Sequence, residues 1–159
     1  MDGGAALVLA LANEAATGRL AARLARSARK GDVIALKGEL GSGKTTFARA
    51  FIRARLGDSI EVPSPTFTLV EVYGGDSALP IWHFDLYRLD NAEAARELGF
   101  EEALADAVSL VEWPERLAAS LPPDRLELTF GAGPTPDSRS VTIAASATWR
   151  DRIEGLSGV

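Results

Sequence analysis

The stretch Gly38-Glu39-Leu40-Gly41-Ser42-Gly43-Lys44-Thr45 decides how this chain folds. It satisfies the phosphate-loop pattern G-x-x-x-x-G-K-[ST], and it lies between an apolar run at residues 33–36 and a helix-like stretch at residues 46–56. A strand before the loop and a helix after it are the context that this pattern requires. The alternative is a glycine-rich turn with an accidental lysine, and the flanking strand and helix count against it.

Each residue type in this loop has a chemical reason to be there. The glycines let successive backbone N–H groups turn inward around a phosphate, and the following helix adds the positive end of its dipole. Lys44 would reach the outer phosphates, and the Thr45 hydroxyl would ligate magnesium. The predicted nucleotide-binding residues of this segment are Gly41, Ser42, Gly43, Lys44, Thr45 and Thr46.

Composition narrows the possible classes of protein. A chain of 159 residues fits one domain spanning residues 1–159, and the lack of cysteine excludes disulfide frameworks, zinc ribbons and thiol catalysis. No basic segment precedes the first apolar run, and no stretch of about eighteen apolar residues occurs, so we expect a soluble cytoplasmic protein that makes no membrane contact. The net charge of −5 argues against broad phosphate neutralisation on a nucleic acid. Any contact with RNA is therefore expected to run through a partner.

The rest of the chain alternates between strand and helix patterns. Strands are predicted at residues 7–11, 66–73, 81–87 and 108–111. Helices are predicted from Glu14 to about Ala28, after an Asn13 cap, and from a capping box at residues 90–93 to Leu98, with Gly99 as the stop. Alternation at residues 126–130 and 141–143 predicts an antiparallel hairpin at the sheet edge. We therefore expect an α/β, P-loop NTPase-like three-layer fold with a mostly parallel central sheet and an antiparallel edge hairpin.

Two predicted strands end in a carboxylate. Asp85 follows residues 81–84, and Glu112 follows residues 108–111. The carboxyl ends of strands in an open parallel sheet line the ligand crevice, so either acid could hold magnesium or orient an attacking water; solvated strand ends are the alternative. His83, the sole histidine, alternates with Asp85 on its strand, and it is either a satisfied buried side chain or a catalytic one.

A second candidate site is the loop at residues 64–68. Its hydroxyls, including that of Thr66, could contact a terminal phosphate and its magnesium, although an ordinary proline-rich loop has the same pattern. Arg88 could act as an arginine finger or serve a structural role. No lysine follows Lys44, so the chain lacks the Asn-Lys-x-Asp-like segment with which GTPases recognise guanine, and ATP is favoured.

Five blocks of sequence together resemble the bacterial TsaE family, also called YjeE. They occur in the order and spacing of that family and span residues 38–46, 64–71, 83–89, 97–100 and 111–115. The resemblance implies a small magnesium-dependent ATPase needed for threonylcarbamoylation of adenosine 37 in tRNAs that read codons starting with A. It also implies a partner, the heterodimer of TsaD and a TsaB-like protein, one of which transfers the threonylcarbamoyl group.

The resemblance also implies roles for individual residues. Lys44 would hold the β- and γ-phosphates, and Thr45 would hold the magnesium. Asp85 and Glu112 would be the acidic pair around the magnesium and the water. Trp113 would lie close to the nucleotide, and Thr17 matches a hydroxyl position that approaches the nucleotide base.

Two other classes of function remain open from the residues alone. A small-molecule kinase would need an acceptor pocket and usually an arginine-rich lid, but the corresponding segment at residues 90–107 is acidic. A binding module that uses nucleotide only as a structural ligand would not need two acids at strand ends. Comparing phosphate release with phosphate transfer to small acceptors separates these classes.

Overall fold

The computed structural model describes residues 5–65, 67–75 and 78–158, which form one seven-stranded sheet with helices. In chain order the elements are β1 (Ala5–Leu11), α1 (Glu14–Arg26), β2 (Val33–Lys37), α2 (Lys44–Leu56), β3 (Val70–Tyr73), β4 (Ile81–Asp85), α3 (Ala94–Glu97), α4 (Phe100–Asp106), β5 (Val108–Glu112), β6 (Leu126–Ala132) and β7 (Arg139–Ala145). Short 3-10 segments follow β5 and β7, at Pro114–Ser120, Ala147–Trp149, Asp151–Ile153 and Leu156–Gly158.

The sheet is parallel at its centre and antiparallel at both sides. Its strand order is β1-β7-β6-β2-β5-β4-β3, in which β6, β2, β5 and β4 are parallel neighbours. The antiparallel pairs are β3 with β4 on one side and β6 with β7 and β7 with β1 on the other. The predicted fold class is confirmed. The predicted hairpin forms as well, but β1 pairs along the whole of β7, so β1 is the edge strand on that side.

Alternating side chains on the central strands build two apolar layers, one on each face of the sheet. On one face, Ile34 and Leu110 belong to a buried cluster with Leu20 of α1 and Phe47 of α2. On the other face, residues such as Val33, Val111 and Phe84 form a second cluster with α4 and Leu117. A strand whose successive side chains are buried on opposite faces must be covered on both sides, which gives the three layers.

The helix boundaries partly follow the sequence signals. The Asn13 Oδ1 atom accepts a hydrogen bond from the Ala16 N–H at 3.0 Å, so the predicted cap of α1 is confirmed. The predicted capping box at residues 90–93 is wrong, because it is Asn91 Oδ1 that accepts the Ala94 N–H, at 3.0 Å, and Glu93 makes no side-chain cap contact. The resulting helix is short. Within the described ranges, no helix is both long enough and apolar enough to cross a membrane.

Two strands are shorter than predicted for local reasons. Leu69 has a φ of 69°, a left-handed conformation that interrupts an extended chain, so β3 begins only at Val70. The Asp85 Oδ1 atom accepts the Tyr87 N–H at 3.1 Å, and this side-chain turn ends β4 at Asp85. The β4 turn leaves the Asp85 carboxylate at the carboxyl end of its strand.

Candidate functional site

The glycine-rich loop at residues 38–43 makes a turn that requires glycine. Gly38 has a φ of 138°, and a Cβ atom there would lie 2.6 Å from Ser42 Oγ and 2.8 Å from the Phe130 carbonyl oxygen. Gly43 has a φ of 118° and forms the N-cap of α2 without any side-chain cap hydrogen bond. The first turn of α2 contains no acidic residue. The helix N-terminus therefore keeps its positive potential for an external anion.

Lys44 lies folded against this loop. Its Nζ atom donates hydrogen bonds to the carbonyl oxygens of Gly38 and, at 3.2 Å, of Glu39. The same atom lies 3.8 Å from the centroid of the Trp113 ring, a cation–π distance. Burial lowers the pKa of Lys44, and the nearby carboxylates, Glu112 first among them, act in the opposite direction. A bound anion would favour the charged ammonium in the same way as these carboxylates do.

Glu112 joins the loop to the sheet. Its carboxylate is buried, with 2% of the residue exposed, and both of its oxygens lie 3.0 Å from the Thr45 hydroxyl. Its Oε2 atom also lies 2.7 Å from Nε2 of His83. The strand register explains the contact with Thr45. Glu112 is paired with Leu36, the last residue but one of β2, and the loop begins directly after β2.

Asp85 occupies the corresponding position on the next strand. In the parallel pairing of β4 with β5, Asp85 is the register partner of Glu112, and only 5% of the residue is exposed. The two predicted acids therefore lie side by side at the carboxyl edge of the sheet. Among the described residues, no group of three or more His, Cys, Asp and Glu side chains is arranged to enclose a metal ion. A metal held here would take further ligands from a hydroxyl, water or a bound substrate.

A cleft of about 450 Å³ opens over the loop, a size usual for small-molecule sites. We call it the loop cleft. Five parts of the chain line it: the loop with the start of α2, the ends of β4 and β5, the start of α1 with its cap, the connection between β6 and β7, and Ser64 between α2 and β3. The lining residues that the sequence predicted are Thr17, Gly41, Gly43, Lys44, Thr45, Thr46, Asp85, Glu112 and Trp113.

Two predicted residues that the structure describes, Ser42 and Arg88, are not part of the cleft lining. The Ser42 Oγ atom is buried beneath Gly38 and has no hydrogen-bond partner among the described residues. Thr66 falls outside the described residues, although Ser64 of the same segment lines the cleft. The Arg88 guanidinium lies 5.0 Å from the centroid of the Phe67 ring and is not part of the cleft lining. In this arrangement Arg88 packs on an exposed aromatic side chain rather than over the loop.

Sequence reasoning missed Arg139, which supports the loop from β7. Its Nε atom donates to the Ser42 carbonyl at 3.2 Å, and Nη2 donates to the Gly41 carbonyl at 3.4 Å. Its Nη1 atom donates to the carbonyls of Pro136 and Ser138, both at 2.8 Å. In the described part of the chain this guanidinium forms no ion pair with a carboxylate. In the sequence Arg139 is only an arginine after a Gly/Pro-rich loop. Its contact with the carbonyls of Gly41 and Ser42 could not be predicted, because it depends on the pairing of β6 with both β2 and β7.

Comparison with known proteins agrees with the resemblance found in the sequence. The sequence profile of the family described as threonylcarbamoyl adenosine biosynthesis protein TsaE matches residues 11–141. The tRNA threonylcarbamoyladenosine biosynthesis protein TsaE of Rickettsia felis is 43% identical over 123 residues, which cover 77% of this chain and 71% of that protein. The protein of the same name from Bacillus subtilis is 38% identical over 135 residues, 84% of this chain and 82% of that one.

A solved structure shares the whole architecture. The crystal structure of YdiB from Bacillus subtilis superposes with a TM-score of 0.78 at 34% sequence identity, covering 98% of this chain and 96% of that one. The family profile and these relatives match over most of the chain. The chain therefore belongs to the TsaE family, which functions in the biosynthesis of threonylcarbamoyladenosine in tRNA.

Proposed function

We propose that this chain binds Mg-ATP and hydrolyses it slowly, as an accessory to the threonylcarbamoylation of adenosine 37 in tRNAs that read codons starting with A. The observation that carries the proposal is the contact of Thr45 with Glu112 beside the buried Lys44. A hydroxyl, a carboxylate and a lysine at the start of a helix are the groups that P-loop ATPases use for magnesium and outer phosphates. Bacterial tRNA is modified in the cytoplasm, which we propose as the location.

The loop supplies the proposed phosphate site. The backbone N–H groups of Gly41, Gly43 and Thr46 would donate to phosphate oxygens at the N-terminus of α2, and the Ser42 N–H, which donates to the Glu39 carbonyl at 3.1 Å, would exchange that partner for a phosphate oxygen. Lys44 would exchange its loop carbonyl partners for the outer phosphates, which offer a full negative charge instead of a dipole. The tight turn at Gly38, which has no room for a side chain, supports the role of the loop as a phosphate site.

The acids supply the proposed metal and water sites. Thr45 and Glu112 would hold magnesium directly or through water, with Asp85 beside them. Magnesium, when bound, neutralises charge on the transferred phosphoryl group and positions it. Asp85 or Glu112 would also orient the attacking water by accepting its hydrogen bond.

Two further residues are assigned to the nucleotide on the basis of their position. The Trp113 ring covers Lys44 at the phosphate end, where it limits the access of water to the ammonium group. Thr17, on α1, lines the cleft and is the proposed contact for the nucleotide base. Thr66 remains a proposed contact for the terminal phosphate, because Ser64, two residues earlier in the sequence, lines the cleft.

The mouth of the cleft is suited to covering by a protein. Two of the large apolar side chains that are exposed among the described residues lie at this mouth: Leu40 at 70% and Tyr87 at 38% exposure. Leu40 lines the cleft, and the centroids of the Tyr87 and Trp113 rings lie 4.9 Å apart. Exposed apolar patches mark interaction sites. The proposed partner is the heterodimer of TsaD and a TsaB-like protein, so that contact with tRNA would be indirect.

The proposed function is tested by measuring phosphate release from ATP. We expect slow release by the purified chain alone and a clear increase with the purified heterodimer and tRNA, since partner groups that order an active site contribute up to about 10³ to 10⁵ in rate. Lys44→Ala is the inactive control. Equal rates with and without the heterodimer, together with association that does not need ATP, would contradict the proposal. Phosphate transfer to a small acceptor instead of water would indicate a kinase.

The two acids can be tested separately from nucleotide binding. Asp85→Asn and Glu112→Gln should each leave ATP bound but lower single-turnover hydrolysis by at least about tenfold, because charge at the reacting phosphate is a leading catalytic term. Glu101→Gln, at an exposed position on α4, is the matched control. A variant that hydrolyses ATP at the parent rate would assign its acid a structural role only.

We expect ATP affinity to depend on the planar guanidinium group of Arg139 and not only on its charge. Arg139→Ala should weaken ATP binding by about 1 to 3 kcal/mol, because the loop carbonyls of Gly41 and Ser42 lose their donor and the loop loses its support. Arg139→Lys should not restore affinity, since one ammonium group cannot span the same carbonyls. Calorimetric titration measures both variants, with Arg150→Ala on the exposed surface as the control. Recovery of affinity in the lysine variant would show that only the charge matters.

A further inference from the structure

A buried histidine contacts the acid at the centre of the site. His83 on β4 is fully buried, and its Nε2 atom lies 2.7 Å from Oε2 of Glu112. It is the single histidine of the chain. The proposed hydrolysis does not use it, so its contact with Glu112 needs a separate explanation.

The surroundings of the ring decide which nitrogen carries the proton. The Nδ1 atom is buried and has no hydrogen-bond partner among the described residues. A buried N–H donor without an acceptor is unfavourable, whereas Nε2 faces a carboxylate oxygen that is a strong acceptor. The proton therefore belongs on Nε2, from which it is donated to Glu112.

This hydrogen bond makes the two oxygens of Glu112 different. The Thr45 hydroxyl lies 3.0 Å from both oxygens and so does not distinguish them. His83 contacts Oε2 alone. The histidine thus engages Oε2, and among the described residues the Thr45 hydroxyl is the one hydrogen-bond partner of Oε1.

We propose that His83 is a positioning residue, which fixes the rotation of the Glu112 carboxylate so that Oε1 is the oxygen presented to magnesium or to its bound water. The proposal rests on the function proposed above for Glu112. Removing a group that orients a metal ligand through a hydrogen bond typically lowers metal affinity or activity by about 10- to 100-fold. If His83 only filled space, the position of its N–H donor would have no effect on magnesium affinity or activity.

Two substitutions separate these roles. In His83→Gln the longer side chain places an amide nitrogen near the position of Nε2 and can still donate to Glu112, whereas in His83→Asn the amide reaches only the region of Nδ1. We expect His83→Asn to lower kcat and the apparent magnesium affinity by about 10- to 100-fold. ATP affinity measured without magnesium should change little, and His83→Gln should recover most of the loss. Equal losses in the two variants, or normal magnesium dependence in His83→Asn, would overturn the proposal.

A spectroscopic measurement tests the hydrogen bond without any turnover. Because the chain has one histidine, the two ring nitrogens can be assigned directly in ¹⁵N-labelled protein without a histidine tag. The proposal predicts a proton on Nε2 and none on Nδ1, and the opposite tautomer would overturn it. This result is independent of hydrolysis. If the parent protein failed to hydrolyse ATP, the proposed function would fail while the tautomer could still be determined.

Discussion

The hydrogen bond between Thr45 and Glu112 joins the start of α2 to the end of β5, across 67 residues of sequence. It exists because β2 and β5 are parallel neighbours and because the glycine-rich loop brings the chain back over the end of β2. Lys44, next to Thr45, and Trp113, next to Glu112, are brought into contact by the same geometry. The arrangement of the whole candidate site therefore depends on the pairing of two strands and on one tight turn.

The balance of charge at this place explains why the proposed ligand includes a metal. Two carboxylates, Asp85 and Glu112, are buried beside a single lysine whose pKa is lowered by burial. A polyphosphate without a cation would meet both acids at close range, and like charges in a poorly solvated site repel strongly. A divalent cation held by the acids would reduce this repulsion. Arg139 adds positive charge to the same cleft, where it donates to the loop carbonyls of Ser42 and Gly41.

The sequence predicted those parts of the molecule whose signals are local. The loop, its flanking strand and helix, and the two strand-end acids follow from spacing and from the rule that parallel strands end at one edge. The roles of Arg139 and His83 could not be predicted, because each depends on a long-range pairing: β7 with β6, and β4 with β5. The edge position of β1 and the early end of β4 at Asp85 were missed for similar reasons, since neighbouring strands and a side-chain turn determine them.

The most direct test of this account is the magnesium dependence of ATP binding in two variants of Thr45, measured by calorimetry. Thr45→Ser keeps the hydroxyl, whereas Thr45→Val keeps the shape of the side chain and removes its oxygen. We expect magnesium to tighten ATP binding in the parent and in the serine variant, and we expect this tightening to be reduced by about tenfold or more in the valine variant. A valine variant with the full magnesium effect would contradict it.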